Sequence, residues 1–509
     1  MALNWDELPT EIQLRILEIL VHTKGCKMAA LATVSRHWQA QLEQYIFSRI
    51  TLTPSRLEKF SSMIRRNQSL VRYIWLCLEL DSYDCTKCVP STTEAMEEDF
   101  YIINTANGCP ITATFEKLFL SLSMWDCHGH LTLDISIHSP SDSEHWFKYL
   151  SFVPDIPHGN YTEQTVLEDA QDDPRHGWVA GRQSSPPVQA FRMIYDSIMS
   201  EGPFASEELE WQWWDRLPKV TAVTHLLLRQ QNRRRWKPNS LAHMCGRFPG
   251  LRELHYEPWR EWDFMQDFTD EDHVAFFGSM SRLVNNLERL VVFENFNQQY
   301  RVVVPRVLDG VDLYKCDKFR RPAPTVSRGI AAACSHLKHI AVSFIADASY
   351  FFETECSWEW PRLKSLAITS TSLRPDDPAG THAVLQSAIA ASSLMPQLEI
   401  MEIWNGQVGL AGLFRFQKLA SLQEIVITWR TTWDLPPELG SIETWEALVA
   451  QPDGWRLSVF KERLDEFRIK SHADAIEYLQ LSCQVVRPIS LQQIRVEQNA
   501  LEGAEIVQR

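Results

Sequence analysis

One short pattern, L-x-x-L-x-L, returns through the middle of this chain and limits what it can fold into more than any other feature. It stands at Val223, Leu226 and Leu228, at Leu251, Leu254 and Tyr256, at Leu287, Leu290 and Val292, and at Leu337, Ile340 and Val342. It continues at Leu363, Leu366 and Ile368, at Leu398, Met401 and Ile403, and at Leu422, Ile425 and Ile427. Apolar residues two apart share one face of an extended chain, so each copy is a short strand with a buried face. Val71, Ile74, Leu76 and Leu78 form a related strand nearer the N-terminus. Helical spacing falls between the strands, at 239–248, 272–285, 327–335 and 381–394. Strands separated by helices pair in parallel, because an antiparallel hairpin needs only a short turn. The expected class is α/β, built from units of one helix and one strand.

From first position to first position the steps are 28, 36, 50, 26, 35 and 24 residues. Leucine-rich repeats run about 20–29 residues, so 28, 26 and 24 fit and the longer steps carry insertions. The Asn or Cys that follows the strand in that family is mostly missing. The region resembles a degenerate leucine-rich repeat, which implies an irregular α/β solenoid with parallel strands over residues 51–432. A plain α/β domain whose strands share a motif remains the alternative. The pattern lapses over 139–218, a long insertion rich in Pro, Gly, Asp and Ser from 154 to 188, with a helix at 187–201. After Leu435, Pro436 and Pro437 the character changes, with helical stretches at 443–450 and 472–481. Residues 433–509 read as a C-terminal cap, which solenoids require.

The first fifty residues are different. Read as a helix, 8–20 carries two apolar stripes: Ile12, Ile16, Ile19 and Leu20 on one side, Leu14, Leu17 and Val21 on the other. A short helix needs one stripe to pack on its own domain; the second is either core as well or a face offered to a partner. Pro9 suits the first turn and Glu11 the positive end of the helix dipole. Leu31, Ala32, Val34, Ser35, Arg36 and Trp38 follow, and Phe47 closes the segment. Taken in order, these residues resemble an F-box over about 3–50, giving an F-box-like helical module at 1–50. The resemblance implies that Leu8, Pro9, Glu11, Ile12, Ile16, Leu17, Leu20, Val34, Ser35 and Trp38 bind a Skp-type adaptor and through it a cullin. The chain would then be the non-catalytic substrate receptor of an SCF-type ubiquitin ligase, with an unidentified protein substrate.

Composition narrows the setting. A net charge of −15 over 509 residues disfavours non-specific binding to nucleic acid or to an anionic membrane. The acidic start lacks the basic and apolar regions of a secretory signal, and no apolar run approaches the roughly 18 residues of a membrane span. Eleven irregularly spaced cysteines read as reduced thiols in cytoplasm or nucleus. No cofactor is expected.

Three groups of residues are candidates for chemistry or recognition. Cys85 and Cys88 form a C-x-x-C that Cys109, Cys127, His128 or His130 would complete as a zinc site; without a compact second pair, the spacing favours reduced loop thiols and no metal. Arg233, Arg234, Arg235 and Trp236 form the one concentrated basic run. They are either a solvated loop balancing an acidic protein or a clamp for an acidic or phosphorylated degron on the substrate. The clusters Trp211/Trp213/Trp214, Trp259/Trp262 and Trp358/Trp360 are either core or contact aromatics. The G-x-S-x-G, P-loop, H-E-x-x-H and kinase signatures are absent from the sequence. Two further readings stand beside the ligase receptor: a scaffold acting outside ubiquitin ligases, and an enzyme with a deep pocket of convergent polar groups.

Overall fold

A computed structural model describes residues 5, 8–23, 26–88, 109–126, 129–155, 172–184, 186–195, 197–199, 203–261, 266–300, 307–308, 311–312, 320–353, 359–435 and 454–501. Twelve strands form one sheet whose spatial order is the order of the chain. They are β1 (Arg49–Leu52), β2 (Tyr73–Glu79), β3 (Thr132–His138), β4 (His225–Leu228), β5 (Glu253–Tyr256), β6 (Arg289–Phe293), β7 (His339–Ser343), β8 (Ser365–Thr369), β9 (Ile400–Gln407), β10 (Leu410–Leu419), β11 (Glu424–Thr431) and β12 (Arg456–Arg463). Every neighbouring pair from β1 to β9 is parallel.

The repeated pattern becomes two ladders. Leu226, Leu254, Leu290, Ile340, Leu366 and Met401 are partners across β4–β9, and Leu228, Tyr256, Val292, Val342, Ile368 and Ile403 form the next row. All are buried. A one-residue slip in any strand would turn its apolar row to the other face, so the pattern fixes the register.

The helices are α1 (Thr10–His22), α2 (Met28–Leu31), α3 (Arg36–Ile46), α4 (Pro54–Ile64), α5 (Pro110–Ser123), α6 (Glu207–Arg216), α7 (Pro238–Gly246), α8 (Gln266–Leu283), α9 (Pro324–Ala333), α10 (Pro378–Ser392), α11 (His472–Leu479) and α12 (Pro488–Leu501), with further short helical turns at Cys85–Cys88, Val188–Ile194 and Ala348–Phe351. Proline opens α4, α5, α7, α9 and α10, where its missing N–H costs nothing. Phe60, Phe115, Phe119, Trp214, Leu241, Phe276, Ile330 and Leu385 from these helices join both ladders in one continuous core. The sequence reading missed α5, α6 and α12, and it ran the helix at 187–201 past its observed end at Ile194.

The expectation of parallel strands throughout needs one correction. The 24-residue step from Leu398 to Leu422 contains a strand, β10, in place of a helix. β9 turns into β10 through Val408 and Gly409, with Gly409 at φ +73°, and β10 is antiparallel to both β9 and β11. A two-residue connection joins antiparallel strands directly, so the step holds a hairpin where a crossover of similar length would also have fitted. Leu422 is consequently exposed, while Ile425 and Ile427 remain buried.

The sheet's second face is also covered. Val291, Phe293, Ala341, Ala367 and Trp404 point away from α4–α10 and pack under Ala473, Ala475, Ile476, Leu479 and Ile494 of the C-terminal segment. Over β2–β5 the second face carries polar side chains, Asp134, Ser136 and His255, buried beneath residues 139–155 and the loop after β4. The C-terminal segment therefore does two things: β12 extends the sheet at its edge, and α11 and α12 return across its face. The expected helix at 443–450 lies outside the described residues.

Candidate functional site

The N-terminal helices pack on one another, and β1, which follows them, joins the sheet through pairs such as Ile50 with Ile74. Pro9 stands just before α1 rather than in its first turn; its carbonyl accepts from the backbone N–H groups of Ile12 and Gln13. Glu11 lies in the first turn. Ser35 caps α3 by accepting from the Trp38 N–H at 3.2 Å. The Trp38 ring stands 4.8 Å from that of Trp5. These contacts explain why Ser35 and Trp38 occur three apart: one ends a turn and starts a helix, and the other seats that helix.

The two stripes of α1 have different fates. Leu17 is 1% exposed and is the buried anchor of its stripe, on which Val21 is half-buried and Leu14 exposed. On the other stripe Ile12 and Ile19, two turns apart, are 48% and 56% exposed, and Val34, in the turn between α2 and α3, is 62% exposed. Leu14 is also open to solvent, and Leu8, Ile16, Leu20 and Trp38 are half-buried. Single exposed apolar residues are common on protein surfaces, but Ile12 and Ile19 share one face of α1, and with Val34 they leave this small helical module apolar surface fit for docking. Pro9, Glu11 and Ser35 are exposed on the same module.

The basic run lies elsewhere than the sequence led us to expect. Arg233 is 2% exposed, its guanidinium paired with the Glu497 carboxylate of α12 and stacked 3.8 Å from the Trp259 ring centre. Arg234 pairs with Asp142 at 3.2 Å and donates to the Met193 carbonyl at 2.7 Å. Arg235 pairs with Glu261 and donates to the Tyr195 carbonyl, and Trp236 is core, edge-on to Phe115. The loop is thus the junction onto which the segment after β3 and helix α12 fold, not a surface that offers its charges to a partner. The acidic partners Glu261, Asp142 and Glu497 lie 26, 92 and 264 positions away along the chain, which is why local spacing gave no sign of them.

The aromatic clusters are core for the most part. Trp213, Trp214, Trp259 and Trp360 are buried, while Trp211 stacks on His243 at the surface; Trp262 and Trp358 lie outside the described residues. Opposite α4–α10, the edge of the second face over β1–β5 holds a cleft of about 370 Å³. Arg49, Arg72 and Arg487 line it with Asp155, His225 and Glu253. Arg487 is held by Asp155 at 3.0 Å, and the two histidine contacts to Glu253 keep that carboxyl well below its usual range against the cost of burial. Arg72 is the exposed member.

The C-x-x-C pair gains neighbours that the sequence did not nominate. Cys85 and Cys88, on one helical turn, lie beside His145 and His176, with the four ligand atoms within 4.8 Å of one another. Cys127 and His128 lie outside the described residues, Cys109 sits just before α5, and the His130 ring lies tilted against that of His225, 5.0 Å between centres. Among the described residues no helix is long and apolar enough to cross a membrane.

The profile of a family of unknown function (DUF6546) matches residues 282–487, from the end of α8 through α11. No curated protein matches the chain.

Proposed function

We propose that this chain is the substrate-recognition subunit of an SCF-type ubiquitin ligase, docking a Skp-type adaptor through α1–α3 and carrying a protein substrate on the rest of the molecule. What supports this reading most is the unpaired apolar stripe of α1, Ile12 and Ile19 with Val34, in a module whose residues resemble an F-box in order and spacing. The α/β body reads as an irregular leucine-rich-repeat-like solenoid, supported by strands that follow one another in chain order and by ladders in constant register. The receptor would catalyse nothing. It would raise the effective concentration of a captured lysine beside a charged conjugating enzyme, so that geometry replaces chemistry.

The substrate side shifts with the burial of Arg233 and Arg234. An acidic or phosphorylated degron fits the cleft bearing Arg49, Arg72 and Arg487 better, since Arg72 is open to solvent there. The test is affinity capture with the full-length protein, a Leu8→Ala/Pro9→Ala form and an Ile12→Asp/Val34→Asp form. The intact chain retains a Skp-type adaptor and a cullin, and both altered forms lose them while staying folded. An intact chain that retains no adaptor refutes the proposal. Adaptor capture without ubiquitination of any companion favours a scaffold outside ubiquitin ligases.

A further inference from the structure

Two loops that leave the sheet at neighbouring strands bring four metal-binding side chains to one point. After β2 the chain makes one helical turn, Cys85–Cys88; after β3 it supplies His145, and further along the same connection to β4 it supplies His176, at the end of the 3-10 turn Pro174–His176. Cys85 Sγ lies 3.5 Å from His145 Nδ1, and Cys88 Sγ lies 3.6 Å from His176 Nε2. A tetrahedral zinc ion with Zn–S of about 2.3 Å and Zn–N of about 2.05 Å sets each S···N edge near 3.6 Å and the S···S edge near 3.8 Å. Both measured S···N distances match. The largest separation, within 4.8 Å, closes with side-chain adjustments of about 1 Å.

We propose that Cys85, Cys88, His145 and His176 form a structural zinc site. Two thiolates and two neutral imidazoles around Zn²⁺ sum to zero charge, so the half-buried setting carries no unbalanced ion. A tetrahedral S₂N₂ set suits zinc over Mg²⁺ or Ca²⁺, which take oxygen ligands. All four positions come from protein, leaving none for a water nucleophile, which makes the site structural rather than catalytic.

The surroundings hold the ligands in place. Asp173 accepts from His176 Nδ1 at 2.7 Å, the carboxylate–histidine pairing that presents the opposite ring nitrogen to a metal. Lys148 in turn holds Asp173 at 3.1 Å. Gly177 follows His176 at φ +72°, and a Cβ there would meet Ser184 Oγ and the Trp146 ring, so only glycine makes this turn. The two loops are also stitched together: the Tyr83 N–H donates to Ser141 Oγ, that hydroxyl donates to the Tyr83 carbonyl, and the Tyr83 hydroxyl donates to Asp142. The region needs a clip. Among the described residues around it, the chain has two-residue strands, 3-10 turns and the seven-residue helix Val188–Ile194, with Trp146, Phe147, Tyr149 and Trp178 clustered against Val496, Ala500 and Leu501 of α12.

The experiment is elemental analysis and cobalt substitution on the purified full-length chain. One zinc per chain is expected, replaced by Co²⁺ with the intense visible bands of a tetrahedral site and thiolate-to-cobalt charge transfer. Asp173→Asn should weaken zinc roughly 10- to 100-fold as a positioning residue. Cys85→Ser/Cys88→Ser should abolish binding. In case that form does not fold, His176→Cys supplies an independent readout: metal stays bound and the charge-transfer intensity rises by about half, three thiolates replacing two. A wild-type chain that binds neither zinc nor cobalt overturns the proposal, as does metal retained in full by Cys85→Ser/Cys88→Ser or an unchanged charge-transfer band in His176→Cys. The outcome is independent of adaptor capture.

Discussion

Arg233→Ala separates a buried junction from a surface basic loop. The wild-type guanidinium and the Glu497 carboxylate are each 1% exposed at the side chain. Glu497 also accepts from the Tyr300 hydroxyl and from Asn297 at 3.2 Å, so truncating the arginine leaves a carboxylate with neutral partners alone in the interior. Removing one partner of a buried ion pair costs about 3–5 kcal/mol. Losing the stack on Trp259 contributes about 1–2 kcal/mol within that range. Glu497 lies on α12, so the loss falls first on the docking of Pro488–Leu501. At about 1.4 kcal/mol per tenfold change, amide exchange in α12 should accelerate by about 10²- to 10⁴-fold, read by hydrogen–deuterium exchange with mass spectrometry. Arg233→Met/Glu497→Met, which leaves no orphaned charge, should recover much of the protection. Exchange in α12 unchanged within threefold in Arg233→Ala would mean that the ion pair does not hold the helix, and the junction reading fails.

Other outcomes follow from burial in the same way. Leu17→Ala should cost about 2–5 kcal/mol and expose α1–α3 to proteolysis, whereas Ile12→Asp should leave melting unchanged. Trp214→Ala should destabilise the chain by about 3–5 kcal/mol and Trp211→Ala by far less, checked by urea unfolding. His472 is buried against Phe296, and burial lowers its pKa to about 3. The unfolded chain therefore takes up a proton there near pH 6.5 that the folded chain refuses, so this group's stability contribution falls as pH drops from about 6.5 toward 3. His472→Gln should accordingly remove about 1.4 kcal/mol per pH unit from the slope of unfolding free energy across that window. Arg72→Glu should abolish substrate capture while leaving adaptor capture intact.

The α/β class, the parallel ladders over β4–β9 and most of the helices between them are legible in the sequence, because each is written in a local period. Apolar residues two apart make a strand face, and a constant pattern makes a constant register. The same holds for α1, whose second stripe is visible in its spacing and whose exposure the fold leaves in place. The short step before Leu422 misled because a period records spacing and not direction; a hairpin and a crossover can carry the same motif.

Tertiary structure decided the rest, and in each case the reason is distance along the chain. Arg233 looks like a solvated charge until Glu497 is brought beside it, since burial of an arginine depends on a partner that no local window contains. Cys85 and Cys88 look like loop thiols until His145 and His176 arrive from beyond the next strand. The repeated face looks open until α11 and the residues after it fold back over Phe293 and Trp404. The sequence by itself determined the repeated strands, the helices between them and the second apolar stripe of α1, because those follow from neighbours a few positions apart. Which charges are buried, which ligands meet and which face remains free were decided only when segments tens to hundreds of residues apart packed together.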